Sequence, residues 1–144
     1  MKKLLLACVL IAAASAALSR FDFRDGAGFR SGAGNERALV EAIERQKSDV
    51  LVRGQGVVAR ILPDDNNGSR HQRFILRLPT GQTVLIAHNI DIAPKIPSLR
   101  SGDTVSFQGE YEWNPKGGVV HWTHHDPDGR HPDGWLKHGG QVFR

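Results

Sequence analysis

The sequence predicts a mainly β domain, a small five-stranded OB-like antiparallel barrel with an N-terminal helix. Three observations predict it. Apolar and polar residues alternate with a period of two over most of residues 50–123, as in half-buried strands. Turn signals divide that region into five short runs, with a Pro-containing connector after the third. A single stretch with helical spacing precedes them.

At 144 residues the chain has room for one domain with a real core. Lys2 and Lys3 precede an apolar run, Leu4 to Ala14, which ends in Ala14-Ser15-Ala16. This is the pattern of a secretory signal peptide over residues 1–16, and the apolar run is too short to span a bilayer. The expected product is an exported protein, periplasmic or secreted, with no transmembrane segment in the mature chain. Cleavage after Ala16 leaves 128 of the 144 residues and, by removing two lysines, lowers the formal charge from +4 to +2. Cys8, the only cysteine, goes with the leader. The mature chain therefore has no disulfide, thiolate zinc site or cysteine nucleophile, and any metal must be held by nitrogen and oxygen. A mildly basic surface tolerates a polyanionic partner without demanding one.

Residues 17–34 read as a flexible arm in which arginines and phenylalanines are scattered among glycines. Residues 35–49 read as a helix packed on the barrel. Asn35 is placed as its N-cap, Glu36 lies in the first turn, and Leu39, Val40 and Ile43 share one face. Residues 50–144 form the barrel domain with a Gly/His-rich C-terminal extension.

Val50 to Leu62 is the first strand, with Gly54 and Gly56 suited to a strong bend. Pro63 to Ser69 is a turn carrying Asn67-Gly68. It is not an EF-hand loop, because Pro63 takes the first ligand position and Phe74 that of the closing glutamate. From His71 to Leu78, Gln72, Phe74, Leu76 and Leu78 fall on one face and His71, Arg73, Ile75 and Arg77 on the other. Gln82 to Ile90 is the third strand, and the prolines of Ala93 to Pro97 confine the next stretch to a short connector. Thr104 to Trp113 is the fourth strand. It places Val105, Phe107, Tyr111 and Trp113 opposite Ser106, Gln108, Glu110 and Glu112. Val119 to Thr123 is the fifth. Trp135, Leu136, Val142 and Phe143 are packing points of the Gly-rich tail.

These motifs form a set. Leu62-Pro63-Asp64-Asp65-Asn66, Ser69-Arg70-His71-Gln72-Arg73-Phe74 and Ala87-His88-Asn89-Ile90-Asp91 come first. Gly109 to Asn114, Gly117 to His124 and Gly134-Trp135 complete it. With them the chain resembles the uncharacterised DUF3465 family of small bacterial and phage-encoded proteins, from about Gly54 to the C-terminus. That resemblance supports the domain and implies no chemistry.

The chemistry lies in the histidines, four of whose seven fall between Gly117 and His131. Imidazole titrates near neutral pH and is the commonest metal ligand. On a strand, His121 and Thr123 point one way and Trp122 and His124 the other. His121 and His125 would stand about 13 Å apart at about 3.3 Å per residue, too far to share an ion without a bend. A site drawn from several strands is therefore favoured: His71, His88 and His121, with Asn89, Asp91, Glu110 and His125 as further polar groups. Structural hydrogen bonding, a metal or acid–base site, and an exposed pH-sensitive loop all remain open for these residues.

Nucleic acid, single-stranded or otherwise, is the expected partner. Arg60, Arg70 and Arg77 would supply a basic surface and Trp122 a stacking platform. Joined to the histidines, this reads as an exported nuclease or phosphodiesterase. His71 or His121 is then the base, His88 a further catalytic group, and Arg73 the stabiliser of phosphate charge. A divalent metal (Zn, Mg, Mn or Ca) would be held by His124, Asp126 and His131. The alternatives are a non-catalytic periplasmic binding module and a structural envelope protein with a hydrogen-bonded histidine network.

Overall fold

The computed structural model describes residues 33–144. The signal peptide expected over residues 1–16, and the arm as far as residue 32, lie outside the described residues. No helix among the described residues is long and apolar enough to cross a membrane.

Helix α1 runs Ala33–Glu44, so it starts two residues before the expected cap and stops five short of the predicted end at 49. The stop has a local cause. The Lys47 amide bonds the Ala42 carbonyl and the Gln46 amide that of Ile43, while Gln46 takes φ 55°. That is a Schellman end with glutamine in the position usually given to glycine. Leu39 and Ala42 of α1 are buried in the common core, and the helix packs on the first strand.

Seven strands follow: β1 (Val50–Asp65), β2 (His71–Arg77), β3 (Thr83–Asn89), β4 (Thr104–Glu112), β5 (Val119–His121), β6 (Trp135–His138) and β7 (Gln141–Phe143). Their order is β1-β2-β3-β5-β4-β6-β7, and β1 also pairs with β4. Strand β1 is long enough to do both. Val50 to Val57 pairs with β4, and Val57 to Asp65 pairs with β2 across a register shift between Val58 and Arg60. The first five strands therefore close into a ring, the OB-like arrangement expected from the sequence. Two details differ. β3 and β5 pair parallel rather than antiparallel, because a crossover through β4 separates them. The tail supplies β6 and β7, whose three- and four-residue lengths are too short for a period of two to be seen in sequence.

The inward faces are those the alternation predicts. Phe74, Leu76, Val84, Ile86, Val105, Phe107, Tyr111 and Val120 are all buried. Two polar side chains share that interior. The Gln72 amide donates to the Ile96 carbonyl and accepts from the Ile96 amide, at 3.0 and 2.9 Å. Its cross-strand partner His88 bonds the Pro94 carbonyl. Together they pin the connector between β3 and β4 across one end of the ring, with Ala93 and Ile96 buried beneath it.

Candidate functional site

Strand β5 ends at His121, two residues sooner than expected. Trp122 takes φ 52°, a conformation costly for a non-glycine residue, and the chain leaves the sheet there. The alternation of faces ends at that point. Thr123 does not follow His121 outward but is fully buried beside His88. The loop then doubles back, and the Gly134 amide bonds the His124 carbonyl at 2.8 Å. A Cβ on Gly134 would stand 1.7 Å from the Trp122 carbonyl oxygen, so only glycine fits this approach.

The expected site residues divide into three groups. The first is structural. His88 is buried with both ring nitrogens engaged, Nδ1 with Thr123 Oγ1 at 2.8 Å and Nε2 with the Pro94 carbonyl at 3.0 Å. A carbonyl only accepts, so Nε2 carries the proton and Nδ1 accepts from the hydroxyl. Burial is the main reason its pKa falls to about 4, which keeps the ring neutral. Because Nδ1 and Nε2 are both used, no lone pair is left for a metal. His71 cannot join it, for His71 pairs with Asn89 and lies on the opposite face of β2 and β3 from His88. Its Nδ1 bonds the Ser69 carbonyl at 2.8 Å. His71, His88, His121 and Asp126 therefore do not form one donor set.

The second group organises the loop after β5. Asp126 is buried and accepts three backbone N–H groups, from Asp128 at 3.0 Å and from Arg130 and His131 at 2.7 Å each. Those bonds, the Asp128 one foremost, hold its carboxyl below the usual range. His124 Nδ1 bonds the His125 carbonyl, and exposed His125 pairs with Asp133 at 2.8 Å. The expected metal set of His124, Asp126 and His131 is not assembled, because the carboxylate is spent on the loop backbone. Trp122 is no free platform either: His131 stacks on it at 4.3 Å and 12°, and His124 leans against it. Arg70 is likewise engaged, its amide and Nε bonding Asp91 at 2.8 and 2.7 Å. The Asp91 amide in turn bonds Asn89 Oδ1.

The third group forms a site. On the outer face of the sheet His121 pairs directly with Glu110, and Glu112 follows two residues along β4. Among the described residues, Glu110, Glu112 and His121 are the group whose metal-binding atoms all lie within 4.8 Å of one another. His121 Nε2 stands 3.5 Å from Glu112 Oε1 and 4.0 Å from Glu110 Oε1, yet it is buried without a hydrogen bond among the described residues. The other oxygen of Glu110 bonds His131 Nε2. The Pro132 carbonyl accepts from His131 Nδ1 at 2.9 Å, and since a carboxylate also only accepts, the ring that makes both bonds carries a proton on each nitrogen. Burial disfavours the charged form of His131, but Glu110 and the Pro132 carbonyl outweigh it and its pKa is raised. Glu110 thus stands between two imidazoles.

Glu112 was read from sequence only as an outward residue. The signal that could have found it is Glu110-Tyr111-Glu112 itself, two carboxylates on one face of a strand opposite a histidine. Arg73, on the same outer face, pairs with Ala87 of β3, and Ala87 lies one step beyond the Ile86–Val120 pairing, beside His121. That puts Arg73 about 10 Å from His121 across two strand spacings. Arg60 and Arg77 are exposed on the neighbouring rows. Arg73 Nε bonds the Pro63 carbonyl at 3.1 Å.

The family model described as "Protein of unknown function (DUF3465)" matches residues 28–144. The chain belongs to the DUF3465 family. The match takes in α1 as well as the strands, and so extends further toward the N-terminus than the motifs that first suggested DUF3465. No curated protein matches the chain. In this DUF3465 member, the outer-face cluster of Glu110, Glu112 and His121 is the group with metal-binding geometry among the described residues.

Proposed function

We propose that the domain binds a divalent metal ion through Glu110, Glu112 and His121, with His131 holding the second oxygen of Glu110, and uses it on the phosphodiester backbone of nucleic acid outside the cytoplasm. The observation that carries the metal is His121 Nε2, buried and unbonded while facing two carboxylates. Buried polar atoms without a partner are rare and call for an explanation. In a tetrahedral site with bonds of about 2.0–2.2 Å, donor atoms lie about 3.4 Å apart, close to the 3.5 and 4.0 Å found at His121. A histidine nitrogen with two carboxylates suits zinc or manganese better than calcium, which favours an all-oxygen shell. His131, bonded to the other oxygen of Glu110, is the outer-sphere support such a ligand ordinarily has.

The substrate class rests on the arginines. Arg73 and Arg77 lie on the outer face of β2, two strands from the cluster, with Arg60 beyond them on β1, where they can hold other phosphates of a strand whose scissile group lies at the metal. In hydrolysis, a water oxygen bonds to phosphorus, the ester P–O bond breaks, and the leaving oxygen takes a proton.

The experiment is a cleavage assay of the purified protein on single- and double-stranded DNA and RNA with zinc, manganese, magnesium or calcium. The expected result is degradation that a chelator stops and that His121→Ala loses. Binding without cleavage under every ion would leave the non-catalytic module. A hydrogen-bonded structural role is favoured for His88, whose two nitrogens are both satisfied, and for Asp126, which holds three loop amides.

A further inference from the structure

Beyond Gln108 along β4, about 7 Å past Glu110, the same outer face opens into a groove of about 540 Å³ that reaches Ser106 at about 14 Å, then Thr104 of that strand and Glu36 of α1. Its floor is fixed by register: Arg53 pairs with Gln108 and Gln108 with Trp135, then Gln55 with Ser106 and Ser106 with Lys137. Arg53 is clamped. Its Nε and Nη2 bond Gln108 Oε1 at 2.9 and 2.5 Å, and its guanidinium lies over the Trp135 ring at 5.6 Å. Gln108 is held in turn by the Asp133 carbonyl at 2.7 Å. One wall is the β6–β7 turn, where Gly139 and Gly140 bring no side chains into the space. Lys137 is exposed at the mouth.

We infer that this groove binds the unit of a single-stranded nucleic acid adjoining the one held at the cluster, its base against the Arg53–Trp135 pair and its phosphate at Lys137. The inference rests on the nucleic-acid reading of the cluster and supplies the strand's path along β4. The volume falls within the range of small-ligand sites. Bases stack on guanidinium planes as they do on aromatic rings, and the Arg53 plane, backed by the Trp135 ring, is immobilised before any ligand arrives. The side-chain amide of Gln55 can meet a base edge. A sulfated polysaccharide would use Lys137 and Arg53 but has no flat heteroaromatic face for the pair.

The test is binding of a fluorescently labelled 12-nucleotide DNA strand, followed by anisotropy in chelator at several salt concentrations. Wild type should bind the strand without metal. Lys137→Gln, at an exposed position where folding is not at stake, should flatten the logarithmic salt dependence by about one. Trp135→Ala should weaken binding about fivefold or more, with Arg53→Gln in the same direction. Unchanged affinity and salt slope in the Arg53→Gln/Lys137→Gln double variant would overturn the inference. So would equal affinity for dextran sulfate, or no binding of the strand at all. Zinc titration of the same proteins separates the two claims: absence of zinc binding, with Lys137-dependent strand binding intact, sinks the metal reading alone.

Discussion

Thr123 Oγ1 donates to His88 Nδ1 across 2.8 Å in the interior of the ring, and the bond makes a neutral histidine part of the core. The folded-state pKa of about 4 lies below the ordinary 6.5, so acid favours the unfolded chain. Above pH 6.5 both states hold a neutral ring and nothing is lost. As the pH falls from there toward 4, the unfolded chain takes a proton that the folded one refuses, at a cost approaching about 3 kcal/mol. Urea denaturation at pH 7.5 and 4.5 should show that loss, and His88→Gln should remove most of its pH dependence. Thr123→Val leaves Nδ1 buried without a donor and should cost about 1–3 kcal/mol at neutral pH.

Gly134 is defined by its closest approach. A methyl group there would meet the Trp122 carbonyl at 1.7 Å and the Gln108 carbonyl at 2.8 Å, both backbone atoms that cannot rotate away. Gly134→Ala should therefore destabilise by about 3 kcal/mol or more, as overpacking does when nothing flexible yields. The midpoint of denaturant unfolding measures it. A stability within roughly 0.5 kcal/mol of wild type, the range of neutral surface changes, would mean that the loop does not pack on Trp122 in this way.

Much of the fold was legible because strands announce themselves by a period of two. The inward positions of β2 and β4 were read correctly from Gln72 to Leu78 and from Val105 to Trp113. What failed was local backbone chemistry. Nothing in the residue type of Trp122 predicts φ 52°, and that one dihedral moves Thr123 into the core. The site was half legible: His121 and Glu110 were named, and strand register joined them. Glu112 stayed hidden because an exposed glutamate is the ordinary surface residue. Asp126 was misread because a carboxylate beside histidines looks like a ligand, whereas its oxygens serve three loop amides that no sequence pattern shows.

Those three amides make Asp126 the positioning residue of the His131 loop. An asparagine in its place would offer one acceptor oxygen instead of two, so at least one of the Asp128, Arg130 and His131 amides would face an NH2 group. The Asp126→Asn variant should keep the ring intact and lose hydrogen-exchange protection at those amides. Because the folded carboxyl titrates below its ordinary value, the wild-type loop should stay protected at neutral pH and open as the pH falls below about 4. Protection unchanged in the variant would show that the loop is held by Gly134 and Trp122 instead.

Zinc binding should be read most cleanly through Glu112. Glu110 already bonds His131, so replacing it disturbs the metal-free protein, whereas Glu112 is half exposed and its nearest imidazole contact is 3.5 Å from His121. Glu112→Gln should therefore unfold at the wild-type temperature without metal. With zinc at about 100 times its dissociation constant, wild type gains about 2.7 kcal/mol, which raises the midpoint by roughly 10 °C for a domain of this size. The variant should gain a small fraction of that, since losing a direct ligand costs more than the roughly 10–100-fold typical of outer-sphere changes. Equal shifts in the two proteins would place zinc elsewhere on the chain. A shift in neither, at saturating zinc, would mean that the His121–Glu112–Glu110 face binds no metal.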